Sequence, residues 1–110
     1  MSVISLGKVT VASAGTPVNI TANFTALDTR EHHRAKAVQI QALPGNAGDV
    51  YVGLKGLLTK ATLVGALAVL SPGMTYREQL GETQNGLSVR DFSIDADTNN
   101  DAAVVSYTRH

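Results

Sequence analysis

Apolar side chains recur at every second position in several short stretches of this chain. Val38, Ile40 and Ala42 alternate with glutamines, and Val50 and Val52 continue the pattern after a turn-rich segment. Successive side chains of a β-strand point to opposite faces, so this alternation predicts strands with one apolar and one polar face. The chain is therefore restricted to folds that bury one face of each strand.

The segment between these two stretches has the composition of a chain reversal. Pro44 has a fixed φ angle, and Gly45 and Gly48 can adopt positive φ angles. We therefore predict a β-hairpin over 38–53. A second hairpin is predicted around the polar reversal 97–101, which separates the alternating stretches 92–96 and 103–107. Because an isolated hairpin is only marginally stable in water, other strands or a helix must cover the apolar face.

Stretches with strand character cover most of the chain. In the first of them the apolar parity changes at Gly7, which predicts a β-bulge there. Seven or eight strands separated by turn signals predict an all-β fold, a single antiparallel β-sandwich or jelly-roll-like domain over 1–110. The predicted strands are 2–12, 18–24, 38–42, 50–54, 62–70, 74–80, 87–96 and 103–107.

The stretch 57–70 is ambiguous, because its apolar residues fit helical spacing and alternation equally well. Gly65 lies within it, and Ser71, Pro72 and Gly73 follow it. These residues favour a short loop or helical turn through Lys60 and then a strand from about position 62.

The charge and composition of the chain exclude several classes of protein. Nine basic residues balance nine acidic ones, so no net field attracts nucleic acid or an anionic membrane. The chain has no cysteine, which excludes disulfides and thiolate chemistry. The most apolar window, 57–70, is too short for a membrane span, and the first stretch has no basic region typical of a signal peptide. We therefore expect a soluble protein.

No pattern of residues indicates a catalytic or cofactor site. Asp95, Asp97 and Asn99 match the start of a calcium-binding loop, but Asn100 stands where glycine is required and Ser106 where a bidentate glutamate is required. Asn and Asp are also typical of hairpin turns, so whether Asp95, Asp97 and Asp101 bind a cation stays open.

The histidines and serines do not indicate a site either. Adjacent His32 and His33 cannot face the same side of a strand, and they lack the spacing of a helical metal site. There is no G-x-S-x-G nucleophile motif and no glycine-rich phosphate loop. We expect no enzyme activity, no metal and no cofactor.

Two features point instead to protein partners. The segment 25–35 is a charged surface loop, and loops of this kind commonly make contacts between proteins. A neutral domain rich in Val and Ala also has little to block the pairing of its edge strands, which favours a homo-oligomer. The predicted partner-binding residues in the loop are Asp28, Arg30, Glu31, His32, His33 and Arg34.

Three segments together resemble small virion proteins of tailed bacteriophages. They are VISLGKVTVASAGTPV near the start, VQIQALPGNAGDVYVGLKGL followed by GALAVLSPG in the centre, and DFSIDADTNNDAAVVSYT near the end. Such proteins are often capsid decoration, or cement, proteins or other accessory parts of the head or neck. The resemblance implies a β module on the capsid surface, assembled in the host cytoplasm.

The resemblance also implies the partners. They would be the major capsid protein and further copies of the chain, with a trimer on a local threefold axis as one arrangement. A decoration protein would bind across capsid subunits and stabilise the shell. The alternatives are a head–tail connector, neck or tail accessory protein and, from another class, a carbohydrate-binding β-sandwich, although the chain has no tryptophan and only three tyrosines.

Overall fold

The computed structural model describes residues 2–21, 35–79 and 91–109. These residues form eight β-strands and no α-helix, as the alternating pattern predicts. The strands are β1 (Ser2–Thr10), β2 (Val18–Asn19), β3 (Ala35–Ala42), β4 (Val50–Leu54), β5 (Ala66–Leu70), β6 (Thr75–Gln79), β7 (Phe92–Ala96) and β8 (Ala102–Arg109).

The strands form two four-stranded antiparallel sheets that pack together as a β-sandwich. Sheet I has the order β1-β8-β3-β6, and sheet II has the order β2-β7-β4-β5. The predicted fold class is therefore confirmed. Apolar side chains from both sheets form one buried cluster, because each sheet turns its apolar face toward the other. The cluster consists of Leu6, Val9, Val11, Ile20, Val38, Ile40, Ala42, Val50, Val52, Leu70, Phe92, Ile94, Ala96, Ala103, Val105 and Tyr107.

The predicted hairpin over 38–53 is wrong, although both of its strands exist. β3 lies in sheet I and β4 lies in sheet II, so the segment 43–49 crosses between the sheets. Alternation reports which face of a strand is buried, but it does not report which sheet the strand joins. The segment is long enough to span the roughly 10 Å between packed sheets.

The amide of Asn46 shows where this crossing segment is attached. Its Nδ2 donates a hydrogen bond to the carbonyl of Ala102 at 2.8 Å, and its Oδ1 accepts one from the Ala102 amide at 3.0 Å. The Leu43 amide also donates to the Ala102 carbonyl, at 3.1 Å. The crossing segment is thus held to the start of β8 in sheet I.

The second predicted hairpin is wrong for the same reason. β7 belongs to sheet II and β8 to sheet I, so the turn at 97–101 also crosses between the sheets. The turn pairs with the residue that follows β1: the Asn100 amide donates to the Val11 carbonyl at 2.7 Å, and the Val11 amide donates to the Asp101 carbonyl at 2.9 Å. Of the consecutive strands in the described residues, only β4 and β5 are neighbours in one sheet.

The predicted bulge at Gly7 is confirmed. The register of β1 against β8 shifts between Ser5 and Gly7, and Gly7 has a φ angle of 76°. An L-residue with a side chain disfavours this conformation, so the glycine allows the change of parity that the sequence shows.

The strand predicted over 18–24 is shorter in the structure. β2 ends at Asn19, and residues 20 and 21 form a turn, while 22–24 lie outside the described residues. The Oδ1 atom of Asn19 accepts hydrogen bonds from the Thr21 amide, at 2.9 Å, and from the Thr21 hydroxyl. This local bonding competes with continuation of the strand, as is typical of asparagine.

The strand predicted from about position 62 begins only at Ala66. Leu63 and Gly65 have φ angles of 60° and 76°, so the chain turns over these residues. Thr59 and Val64 form an isolated antiparallel bridge across the turn. The expected loop or turn before the strand is therefore present and extends five residues further than Lys60, to Gly65.

We predict that Gly53→Ala lowers the free energy of unfolding by about 1–3 kcal/mol, as overpacking of a close-packed site does. An added Cβ at Gly53 would lie 2.6 Å from the Gly65 carbonyl oxygen and 2.7 Å from Cδ1 of Leu58. Urea unfolding measures the change. The control is Gly45→Ala, where a Cβ meets nothing within 4 Å. Equal stability of the two variants would contradict the close contact at Gly53.

Candidate functional site

The partner-binding residues predicted in the charged loop lie in 22–34, outside the described residues. Their role stays a prediction. The residues concerned are Asp28, Arg30, Glu31, His32, His33 and Arg34.

Two acidic residues of 95–101, Asp95 and Asp101, accept hydrogen bonds from backbone amides. Asp95 is buried, and its Oδ1 accepts hydrogen bonds from the Gly15 amide at 2.9 Å and from the Ala96 amide at 2.8 Å. Asp101 is also buried, and its two oxygens accept from Ala47 at 3.1 Å and Gly48 at 2.9 Å. A buried carboxylate needs such donors, because leaving it unpaired is costly.

Asn99 and Asp97, in the same segment, contact different parts of the molecule. Asn99 Oδ1 accepts a hydrogen bond from the Ala14 amide at 2.8 Å. The Tyr51 hydroxyl donates to the two carboxylate oxygens of Asp97, at 3.0 and 3.2 Å. Within 2–21, 35–79 and 91–109, no group of three or more histidine, cysteine or acidic side chains is arranged to hold a metal ion. The side chains whose spacing resembles a calcium loop instead form hydrogen bonds with three separate segments. These are the loop 11–17, the crossing segment 43–49 and β4.

Two loops cover the outer face of sheet II, the face directed away from the core. Ser93 and Asp95 lie on this face, yet both are buried. The loop 11–17 covers Asp95 through the Gly15 amide, and the loop 55–65 brings Leu58 against Gly53. The alternation of apolar and polar residues predicted only that this face is polar. It could not show the covering loops, because their contacts join residues that are far apart in the chain.

Lys60 ties the loop 55–65 to the end of β7. Its ammonium lies 3.7 Å from Asp97 Oδ1 and donates a hydrogen bond to the Ala96 carbonyl at 3.2 Å. Burial, and then the hydrogen bond and charge of Asp97, raise the pKa of Tyr51 above its ordinary value. Lysine, tyrosine and aspartate thus form one polar cluster on the outer face of sheet II.

A second tyrosine–carboxylate pair lies on β6. The Tyr76 hydroxyl donates to Glu78 Oε2 at 2.9 Å, and the ring packs against the core. Burial, followed by the hydrogen bond and charge of Glu78, raises the pKa of Tyr76 to about 12. Glu78, which interrupts the apolar pattern of β6, therefore accepts the hydrogen bond of the partly buried Tyr76 hydroxyl.

The edge strands differ in how they are protected against pairing with another chain. Among the described strands, the sheet edges are β1, β6, β2 and β5. β1 has a bulge and a lysine, β6 carries Arg77 and Glu78, and β2 has only two residues. These are common protective features of edges. β5, with the sequence ALAVL, carries no charge.

β5 and the loop before it expose a concentration of apolar side chains. Five of the eight large apolar residues that are exposed in the described part of the chain lie within 57–69. Lys60 is the only charged residue of that range, and it is directed to Asp97 and Ala96. We call this region the β5 surface; it consists of Leu57, Leu63, Val64, Leu67 and Val69.

Comparison with known proteins gives no relative: no family model, curated protein or solved structure matches the chain. In the part of the chain that the structure describes, no helix has the length and hydropathy that a bilayer crossing requires. We therefore infer a function from the geometry of this molecule and from its resemblance to small virion proteins.

We predict that Asp101→Asn lowers the free energy of unfolding by about 1–3 kcal/mol, because an amide replaces one acceptor and leaves a buried amide unpaired. The Asp101 carboxylate receives two backbone hydrogen bonds from the 43–49 segment. Chemical denaturation measures the loss. Asp49→Asn in the same segment is the control, since no hydrogen bond to its carboxylate is seen among the described residues. An effect no larger than that of the control would contradict the role of Asp101.

We also predict that stability falls between pH 10 and pH 12 through Tyr76. A pKa raised from 10.0 to about 12 means that the fold favours the neutral phenol. The stabilisation that Tyr76 contributes is therefore complete below the pKa of tyrosine in the unfolded chain. It is lost as the pH rises through the pKa of Tyr76 in the folded protein. Thermal unfolding over this pH range tests the prediction. Tyr76→Phe should flatten the dependence, and Glu78→Gln should bring the pKa of Tyr76, followed by ultraviolet absorbance, closer to 10.

Proposed function

We propose that this protein is a structural component of a virion, a decoration protein that binds across capsid subunits and stabilises the assembled shell. The observation that carries the proposal is the β5 surface, an uncharged apolar region at the edge of a sheet. Exposed regions of this kind mark surfaces that bind other proteins. The resemblance to small virion proteins is the reason for proposing a capsid as the assembly that it joins.

The proposal gives the β5 surface the role of the contact between copies of this chain. Two such surfaces can pack together without burying an unpaired charge, which would be costly. Leu67 and Val69 point outward from β5, with 43% and 41% of their surface exposed. Leu63 and Val64, in the turn before the strand, extend the same apolar region. The proposal keeps the contact with the major capsid protein at the charged residues of 25–35, as the sequence predicts.

The proposed role is structural, because a decoration protein acts by binding and not by catalysis. A subunit that binds the assembled shell and not the free capsid protein stabilises the shell by mass action. The buried carboxylates of the described residues fit this role: Asp95 and Asp101 hold backbone segments in place.

A cryo-EM map of the native particle tests the function directly. Density for the sandwich at many equivalent positions over the shell would support a decoration protein. A single ring at one vertex would support the alternative of a neck or tail accessory protein and would overturn the decoration role. Binding of the isolated protein to a glycan array, with no copies on a particle, would support the carbohydrate-binding alternative instead.

We predict that Leu67→Lys or Val69→Lys weakens self-association about tenfold or more, because each buries an unpaired charge in the contact. Sedimentation velocity at several concentrations measures the change. The substitutions fall on exposed positions, so the free energy of unfolding should change by less than about 0.5 kcal/mol. Thr75→Lys, at an exposed position of the β6 edge, is the control. A wild-type protein that stays a monomer at all concentrations would contradict the proposed contact.

A further inference from the structure

A cleft of about 460 Å³ lies on the outer face of sheet II, between the two loops that cover this face. Its volume falls within the range of sites that bind small molecules, roughly 300–1,000 Å³. Neither the virion resemblance nor the β5 surface accounts for it. The cleft is lined by Pro17, Asn19, Lys55, Gly56, Leu58 and Ser93.

The hydroxyl of Ser93 is the first reason to regard the cleft as a binding site. Only 3% of the surface of Ser93 is exposed, and among the described residues its hydroxyl has no hydrogen-bond partner. Buried polar groups in proteins are nearly always paired. Asp95, two residues further along the same face, follows the rule with two backbone donors. The unpaired hydroxyl of Ser93 is placed to bond a molecule in the cleft.

The charge of Lys55 is the second reason. Its backbone amide donates to the Asp91 carbonyl at 2.7 Å, which fixes the residue at the edge of the cleft. Its ammonium forms no ion pair within the described residues, whereas Lys60 in the same loop is paired with Asp97. Among the described residues that line the cleft, Lys55 is the only cation and there is no anion. Charge complementarity therefore favours an anionic ligand.

The remaining walls limit the shape of that ligand. Leu58 and Pro17 offer apolar surface, and the oxygen of the Asn19 amide is already bonded to Thr21. A ligand that suits the cleft thus combines one negative group with a small apolar group. A carboxylate fits this description, since it accepts hydrogen bonds from both an ammonium and a hydroxyl.

We propose that this cleft binds a carboxylate attached to a small apolar group. Lys55 neutralises the charge, Ser93 donates a hydrogen bond to one carboxylate oxygen, and Leu58 and Pro17 contact the apolar group. Two sources share this chemistry: the C-terminal residue of a polypeptide and the side chain of an acidic residue. The proposal stands apart from the decoration role, because it uses neither the β5 surface nor the charged loop.

An NMR titration of the full ¹⁵N-labelled chain tests the proposal. The probes are N-acetyl-leucine, its neutral amide N-acetyl-leucinamide, and N-acetyl-glutamic acid α-amide. We expect saturable shifts of the amides of Lys55, Leu58 and Ser93 with a carboxylate probe, and affinity for the neutral amide roughly tenfold weaker. Tighter binding of N-acetyl-leucine would indicate a polypeptide C-terminus, and tighter binding of the glutamate probe an acidic side chain.

Two variants separate the contributions of the cleft residues. Lys55→Gln should weaken carboxylate binding roughly tenfold and leave binding of the neutral amide unchanged. Ser93→Ala should weaken carboxylate binding several-fold without loss of stability, because the Ser93 hydroxyl has no hydrogen-bond partner among residues 2–21, 35–79 and 91–109. Lys36→Gln, an exposed lysine on sheet I, is the control for the change in net charge.

Three results would overturn the proposal. They are equal affinities for N-acetyl-leucine and its amide, equal effects of Lys55→Gln and Lys36→Gln, and no saturable shift up to about 10 mM probe. None of them bears on the decoration role, which is tested by sedimentation of the β5 variants and by the particle map. A loss of self-association with intact carboxylate binding, or the reverse, therefore distinguishes the two proposals.

Discussion

The burial of one apolar face of each sheet against the other is the constraint on which the rest of this structure depends. Nearly every connection between consecutive described strands passes from one sheet to the other, so each sheet is built from segments that are separated in the sequence. A single core contains apolar side chains from both sheets. Val38 and Ile40 are examples from sheet I, and Val52 and Ile94 are examples from sheet II. The burial of these side chains supplies the main driving force for folding.

Because the chain crosses between sheets so often, the crossing segments need attachments of their own. Asp101 and Asn46 provide them at the 43–49 segment, and Asp95 provides one for the loop 11–17. Each attachment joins a polar side chain to backbone groups of a segment that is distant in the sequence. The same carboxylates that resemble metal ligands in the sequence are thus a requirement of the topology.

The two features that point to function, the cleft and the β5 surface, both lie on sheet II. The covering loops bury Asp95 and Ser93, create the cleft beside Lys55, and place the β5 surface at the adjoining edge. An uncharged apolar edge suits a subunit that associates with other proteins. A cleft whose ammonium and hydroxyl have no partner in the described part of the chain suits a small anion. The two proposals therefore arise from one sheet but from different physical properties of it.

The sequence by itself determined which side chains face inward, because a period of two depends only on local strand geometry. It predicted the sandwich, the bulge at Gly7 and the buried rows through Val105 and Tyr107. The tertiary structure decided which strands pair, and it showed that β3 and β4 lie in different sheets. It also decided the burial of Ser93 and Asp95. These properties depend on contacts between distant segments, and no local pattern of residues records them.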